Sequence, residues 1–220
     1  MRTVVITGVS RGIGKALAQK FLEEGYFVIG TSTSGTVDFS HEHLTVFQLE
    51  LTSEESIKIC VEHIHSLEQR IDILFNNAGI TTYDEDNALR IDPSILRKAF
   101  EINLFGPIQL TQSLLTVIQD GSHIINLTSR YGSLNYIWGP DAPSYRMSKA
   151  ALNMYTRVMA LALKDRGITV SCVHPGWVKT DMGGPNAQME PTEAVEHLFA
   201  LAISKPESGQ FWFKGEHFPW

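Results

Sequence analysis

Cysteine is scarce. The 220 residues hold two, Cys60 and Cys172, far apart and with no Cys-x-x-Cys pair, which argues against a disulfide framework or a thiolate zinc site. A reducing cytoplasm is the expected location. Basic charge is also short: 18 Lys and Arg against 24 Asp and Glu give a formal net charge of -6, and no cationic stripe is present to neutralise phosphates. No nucleic-acid partner is expected. No apolar run approaches the length of a membrane span, and the apolar stretch near Met1 is too short for a signal peptide, so no membrane partner is expected and the mature chain is expected to begin here. Two histidine pairs, His41/His43 and His63/His65, invite a metal reading. Residues two apart on a helix point away from each other, so the second pair is poorly placed to share an ion and no metal is assigned. Repeats, low-complexity tracts and linkers are absent too. One domain over residues 1–220 is expected, and the 43% hydrophobic content is ample for its core.

What is present is alternation of apolar β-branched runs with helical patterns. Strands are expected at Thr3–Thr7, Tyr26–Thr31, Leu44–Leu49, Ile71–Phe75, His123–Leu127, Ile168–His174 and Gln210–Phe213. Helices are expected at Lys15–Glu24, Ser53–Glu68 with Thr52 or Ser53 as its cap, Pro93–Gln119, Ser144–Arg166 ended by Gly167, and Thr192–Ser204 capped near Thr192. Such alternation implies a parallel sheet covered on both faces. Asp84-Glu85-Asp86 reads as part of an exposed loop or short helix. Asn103, in mid-helix just before Gly106-Pro107, implies either a local distortion whose freed backbone groups could hold water or a bend kept for packing.

Two stretches carry chemistry. After the first strand, Gly8-Val9-Ser10-Arg11-Gly12-Ile13-Gly14 leads straight into a helix, and glycines there let a backbone bend tightly and approach a pyrophosphate at the helix N-terminus. Tyr145 and Lys149, four apart at the start of a long helix, share one face. A tyrosine titrates near ~10, and serving as acid and base near neutrality needs its anion favoured by roughly 4 kcal/mol. One ammonium about 4 Å away, at an effective dielectric of ~20, supplies a term of that size. The second strand ends in Gly30-Thr31-Ser32-Thr33 with no carboxylate to hold a ribose 2′-hydroxyl or repel a 2′-phosphate. This favours NADP, with Arg11 as the cation and Ser32 and Thr33 as hydroxyl donors; NAD is the alternative.

Thr7-Gly8-x-x-x-Gly12-x-Gly14, Asn76-Asn77-Ala78-Gly79, Asn103, Ser129, Tyr145-x-x-x-Lys149 and Pro175-Gly176, in one order over essentially the whole chain, resemble the short-chain dehydrogenase/reductase family. The stretches Tyr145–Asn153 and His174–Gly184 and the Pro219-Trp220 pair look most like its C-factor and sniffer-type carbonyl reductases. The resemblance implies an α/β Rossmann fold, a doubly wound parallel sheet of seven strands in the order 3-2-1-4-5-6-7. It implies hydride transfer between NADP(H) and the carbonyl or alcohol of a small or medium apolar substrate. Tyr145 would move the proton, Lys149 would lower its pKa and hold the nicotinamide ribose, Ser129 would bind the substrate oxygen, and Asn103 would anchor a water. Gly8, Ser10, Arg11, Gly12, Ile13 and Gly14 would hold the pyrophosphate and adenosine side. Glu50 and Leu51 would flank adenine, Asn77, Ala78 and Gly79 would line a ribose, Pro175, Gly176 and Val178 would contact the cofactor, and Thr180 would meet the carboxamide. Loops 131–143 and 177–191 would wall the substrate, and within the second the Gly, Pro and Asn content of Gly183–Glu190 leads to the expectation of a mobile lid there. A homodimer or homotetramer is implied. The C-factor likeness also admits a cofactor-binding sensor with little turnover, against which Ser129, Tyr145 and Lys149 stand intact.

Overall fold

The computed structural model describes residues 1–82 and 87–220, so the acidic run Asp84-Glu85-Asp86 lies outside the described residues. In chain order the elements are β1 (Thr3–Thr7), α1 (Gly12–Glu23), β2 (Phe27–Ser32), β3 (Leu44–Gln48), α2 (Glu54–Ser66), β4 (Ile71–Asn76) and α3 (Pro93–Phe100). A five-residue π turn, Glu101–Phe105, joins α3 to α4 (Gly106–Leu114). Then follow β5 (Ile118–Leu127), α5 (Pro143–Ala162), β6 (Thr169–Val173), α6 (Pro191–Ile203), β7 (Phe211–Phe213) and β8 (Glu216–His217).

The sheet runs β3-β2-β1-β4-β5-β6-β7-β8, parallel throughout except for the last pair. The expected seven-strand order is therefore present with an eighth strand added. Its origin is local: Lys214 (φ 49°) and Gly215 (φ 81°) both adopt positive φ, which makes a two-residue hairpin out of what reads as a tail. Alternation along each strand divides the core into two layers. Val4, Ile6, Ile73 and Phe75 face α1 and α6, through Phe21, Leu17 and Leu198. Val5, Ile29 and Leu74 face α2, α4 and α5, through Ile57, Ile64, Leu110 and Leu114. Burying one such side chain contributes roughly 1.5–3 kcal/mol, so the two layers hold the strand ends rigidly in place.

Most boundaries shift by a residue or two from the sequence reading, and several differences have a physical cause. Helix α1 begins at Gly12 rather than Lys15, because the glycine turn supplies its first helical turn. The helix expected to reach Gln119 stops at Leu114, and Ile118-Gln119 open β5 instead, where Ile118 pairs with Ile71. Helix α5 ends at Ala162 and a short 3-10 turn, Lys164–Arg166, intervenes before Gly167 at φ 61°. Helix α6 begins at Pro191 after Glu190 with no side-chain cap, so Thr192 lies inside it. The cap of α2 is Ser53, whose hydroxyl accepts from the Ser56 amide. The distortion expected at Asn103 is the π turn itself.

Candidate active site

The C-terminal ends of β1 and β4 are pinned together by side chains. The Thr7 hydroxyl oxygen accepts from the Asn77 amide at 3.0 Å and the Ala78 amide at 2.9 Å. In return the Asn77 side-chain amide donates to the carbonyls of Thr7 (2.7 Å) and Gly8 (3.2 Å). Backbone amides of Gly8 and Val9 both donate to the Thr31 carbonyl at 2.9 Å, tying β2 to the same knot. Gly8 holds φ 75°, and a Cβ on Gly14 would stand 2.1 Å from the Gly8 carbonyl oxygen. The turn thus requires glycine at both places.

Beside this knot lies a cavity of about 380 Å³. Gly8, Ser10, Arg11, Gly12, Ile13, Gly14, Ser32, Thr33, Glu50, Leu51, Asn77, Ala78, Gly79, Tyr145, Lys149, Pro175 and Thr180 all line it, so most of the residues expected around a dinucleotide share one space. Two do not reach it. Val178 is buried in a small core with Met189 and Ala194, and Gly176 fronts a neighbouring cavity. Ser32 lines the cavity, but its hydroxyl donates to the Thr36 carbonyl at 3.0 Å and so closes its own loop. The Glu50 carboxylate accepts from the Thr52 amide and hydroxyl at 3.2 and 3.0 Å. Arg11 spans the cavity mouth to Asp181 at 3.3 Å, both side chains well exposed. The cradle fits a dinucleotide: a helix N-terminus, glycines where a Cβ has no room, and no carboxylate at the end of β2.

At the other end of the cavity, α5 begins with a strained residue. Ala142 is buried at φ 49° and gives no side-chain cap, and the Thr82 hydroxyl accepts from the Tyr145 amide at 3.1 Å instead. Lys149, one turn later on the same face, is 5% exposed. Its ammonium sits 5.8 Å from the centre of the Tyr145 ring and donates to the Leu127 carbonyl at 2.8 Å. Burial pushes the Lys149 ammonium down from 10.5 to about 8. The simple ammonium-on-hydroxyl picture drawn from spacing is therefore incomplete, because a buried cation needs an acceptor and finds it on β5.

Asn103 is fully buried in the π turn. Its amide nitrogen donates to the Ile80 carbonyl and the Ser148 hydroxyl, both at 3.0 Å, and its oxygen accepts from the Ile80 amide at 2.9 Å. The extra residue of the π turn turns this side chain toward the irregular segment after β4, at Ile80. Ser129 caps a short 3-10 turn, Arg130–Gly132, accepting from the Tyr131 amide at 3.2 Å. Gly132 lets that turn press onto α5: a Cβ there would be 2.8 Å from the Lys149 carbonyl carbon.

Ser129 fronts a second cavity of about 530 Å³ that shares Asp181 and Met182 with the first. One of its walls is a braid unseen in the sequence. Asp141 accepts from the Tyr131 hydroxyl and from Arg146, both at 2.8 Å, while the Arg146 guanidinium stacks on the rings of Tyr131 (4.1 Å) and Trp138 (4.6 Å). The Tyr131 ring is 5.9 Å from that of Tyr145. Arg146 sits inside the Tyr-x-x-x-Lys motif, and its place there was the available signal; Asp141 gave none. The loop expected as a lid is braced: Trp177 donates from its indole to the Gly183 carbonyl at 2.8 Å, and Lys179 and Met189 are joined through their backbones. Thr31, Ile80, Thr128, Asp181 and Met182 also line the first cavity without having been singled out.

A family model described as short chain dehydrogenase matches residues 2–191. Over 156 residues, 68% of this chain and 93% of the relative, the sequence is 36% identical to the C-signal of Myxococcus xanthus. The structure is similar to that of NADPH-bound carbonyl reductase from chicken fatty liver, with a TM-score of 0.90 at 30% identity over 100% of this chain and 99% of that one. The carbonyl reductase Sniffer of D. melanogaster shares the fold at a TM-score of 0.90 and 24% identity, with 100% of each chain covered.

Proposed function

The chain belongs to the short-chain dehydrogenase family of NAD(P)-dependent oxidoreductases, and from that premise we propose that it is an NADP(H)-dependent carbonyl reductase or alcohol dehydrogenase acting on small to medium apolar substrates. The observation that carries the reading is one cavity with the glycine cradle at one end and Tyr145 and Lys149 at the other, beside Ser129. When bound, the nicotinamide supplies or accepts the hydride.

The chain's own residues do the rest. Ser129 accepts from the Tyr131 amide, which leaves its hydroxyl hydrogen to donate to the substrate oxygen. Tyr145 gives its proton to that oxygen in the reductive direction and takes it back in the oxidative one. Lys149 places a positive charge beneath the tyrosine and holds ribose hydroxyls, and the Leu127 carbonyl fixes its position. Asn103 acts as a positioning residue: its side chain is engaged with Ile80 and Ser148, so any water in a proton relay would rest on the backbone the π turn frees. Preference for NADP is supported by the carboxylate-free end of β2 and by Arg11, whose partner Asp181 is exposed and weakly held. Gly8, Ser10, Gly12, Ile13, Gly14, Thr33, Glu50, Leu51, Asn77, Ala78, Gly79, Pro175 and Thr180 are proposed to contact the cofactor.

A homodimer or homotetramer is proposed, supported by an exposed apolar stripe on α5, Met147, Met154, Val158 and Leu161; light scattering on the eluting protein measures it. Two free, buried thiols suit the cytoplasm. No helix among the described residues is long and apolar enough to cross a membrane. The test of function is consumption of NADPH and NADH with aldehydes, ketones, diketones and quinones by the protein and by Tyr145→Phe. We expect NADPH to be favoured and the variant to lose roughly 10²–10⁴-fold in rate. Unchanged activity in Tyr145→Phe would sink the mechanism, and cofactor binding without turnover of any carbonyl would favour a sensor.

A further inference from the structure

The second cavity holds an unpaired cation. Two carboxylates face it, and neither pairs with that cation: Asp141 is held by Arg146, and the well-exposed Asp181 lies against Arg11, which the cofactor would draw away. Burial opposes the ionised form of Asp141, yet the hydrogen bonds from Arg146 and Tyr131 hold its carboxyl below the usual range. Arg130 is the cation left over. It follows Ser129 directly, lines the same cavity and is half-buried, and among the described residues its guanidinium makes no hydrogen bond and no ion pair. The guanidinium lies over the face of Trp138, its carbon 4.9 Å from the ring centre. Stacking leaves a guanidinium's in-plane N–H groups unused, and those are the ones that bind a carboxylate as a fork.

The neighbours fit such a ligand. Burial, and then the Arg130 charge, push the His174 imidazole down to about 3, so the ring beside Arg130 is neutral and does not add to the charge. Trp177 and Met182 supply apolar walls. A positive spot in a chain of net charge -6 is local, and it lines the same cavity as Ser129, where a substrate carbonyl would be held.

We propose that Arg130 is a specificity-determining residue that receives a carboxylate, and that the substrates are carbonyl compounds with an apolar body ending in that group. The proposal rests on the reductase reading above and refines its substrate class.

The test compares para-formylbenzoate with its methyl ester, using the intact protein, Arg130→Gln and Arg130→Lys. Calorimetric binding of para-(hydroxymethyl)benzoate to the same proteins gives a readout independent of turnover. We expect the acid to exceed the ester in kcat/KM by roughly tenfold or more, and Arg130→Gln to remove that advantage through KM, as loss of a charge-assisted hydrogen bond does. The ester should stay within about twofold and Arg130→Lys should fall between, as a point charge replacing a fork would. An ester as good as the acid, or equal losses on both in Arg130→Gln, overturns the proposal. Binding of para-(hydroxymethyl)benzoate that depends on Arg130 without turnover of either aldehyde would support the anion site and refute the reductase reading. Neither binding nor turnover would refute both.

Discussion

Replacing Lys149 by methionine should make the protein more stable and less active. The ammonium is 5% exposed, and burial lowers it from 10.5 to about 8. At roughly 1.4 kcal/mol per pH unit, that difference is a folding cost of about 3 kcal/mol whenever the lysine is charged in both states, as it is at pH 7. Methionine has similar volume and no charge, but forfeits the bond to the Leu127 carbonyl, worth about 1 kcal/mol once water reaches that cavity-lining oxygen. The net gain is about 2 kcal/mol, or roughly 4–8 °C in Tm for a chain of this size. The sign of the pH dependence is fixed. Between about 8 and 10.5 the unfolded chain keeps a proton that the folded one has lost, so wild-type stability rises through that window relative to the variant, and the gap closes. Urea unfolding of both proteins from pH 7 to 10.5 measures it, with cofactor turnover recorded alongside. A variant less stable at pH 7, or two parallel pH curves, would show that Lys149 is not desolvated and that the charge under Tyr145 is held at no cost.

Gly14→Ala forces a methyl to 2.1 Å from the Gly8 carbonyl and 2.5 Å from the Asn77 amide nitrogen; we expect a loss of about 2–3 kcal/mol in urea unfolding and a cofactor affinity weakened beyond detection by fluorescence titration. Asn103→Leu strands the amide and carbonyl of Ile80, and should cost about 2–4 kcal/mol in the same assay while kcat falls more than cofactor affinity. His123 is buried, with Nδ1 donating to the Ala202 carbonyl and Nε2 accepting from Ser171. Burial lowers it from 6.5 to about 4, so the folded state resists a proton that the unfolded state accepts, and stability should drop by about 3 kcal/mol as pH falls from 6.5 to 4. His123→Leu should remove that part of the acid slope, seen as a flatter Tm-against-pH curve.

The fold was legible where one rule dominated. Alternating apolar strands and 3.6-period helices gave the parallel sheet covered on both faces, because such sheets bury both faces and leave a strong signal, whereas the strand order came from the family resemblance. Asn103 before Gly106-Pro107 announced a helix defect, since a buried amide in mid-helix needs a reason. What escaped was set by contacts distant in the chain. β8 exists because Lys214 accepts a positive φ that its residue type does not advertise. Thr82 caps α5 from 63 residues away, and no local pattern at Ala142 calls for it. Of the site residues, the cradle and the Tyr145/Lys149 pair were visible through spacing. The Asp141–Arg146–Tyr131 braid was not, because charge pairing in a loop has no period.

The first strand in the chain lies inside the sheet, not at its edge. β1 lies between β2 and β4, and its edge toward β4 is closed by residues such as Asp72, which accepts from the Thr3 amide 69 positions away. During synthesis, β1, α1, β2 and β3 emerge as a half-sheet with a bare edge of Val4, Val5 and Ile6, all fully covered in the finished molecule. Until β4 arrives, that edge is open to any other extended chain nearby. The Thr7–Asn77 knot that shapes the cradle also fastens the end of β4 to that edge, so β1 is covered on both sides only once the chain extends through β4.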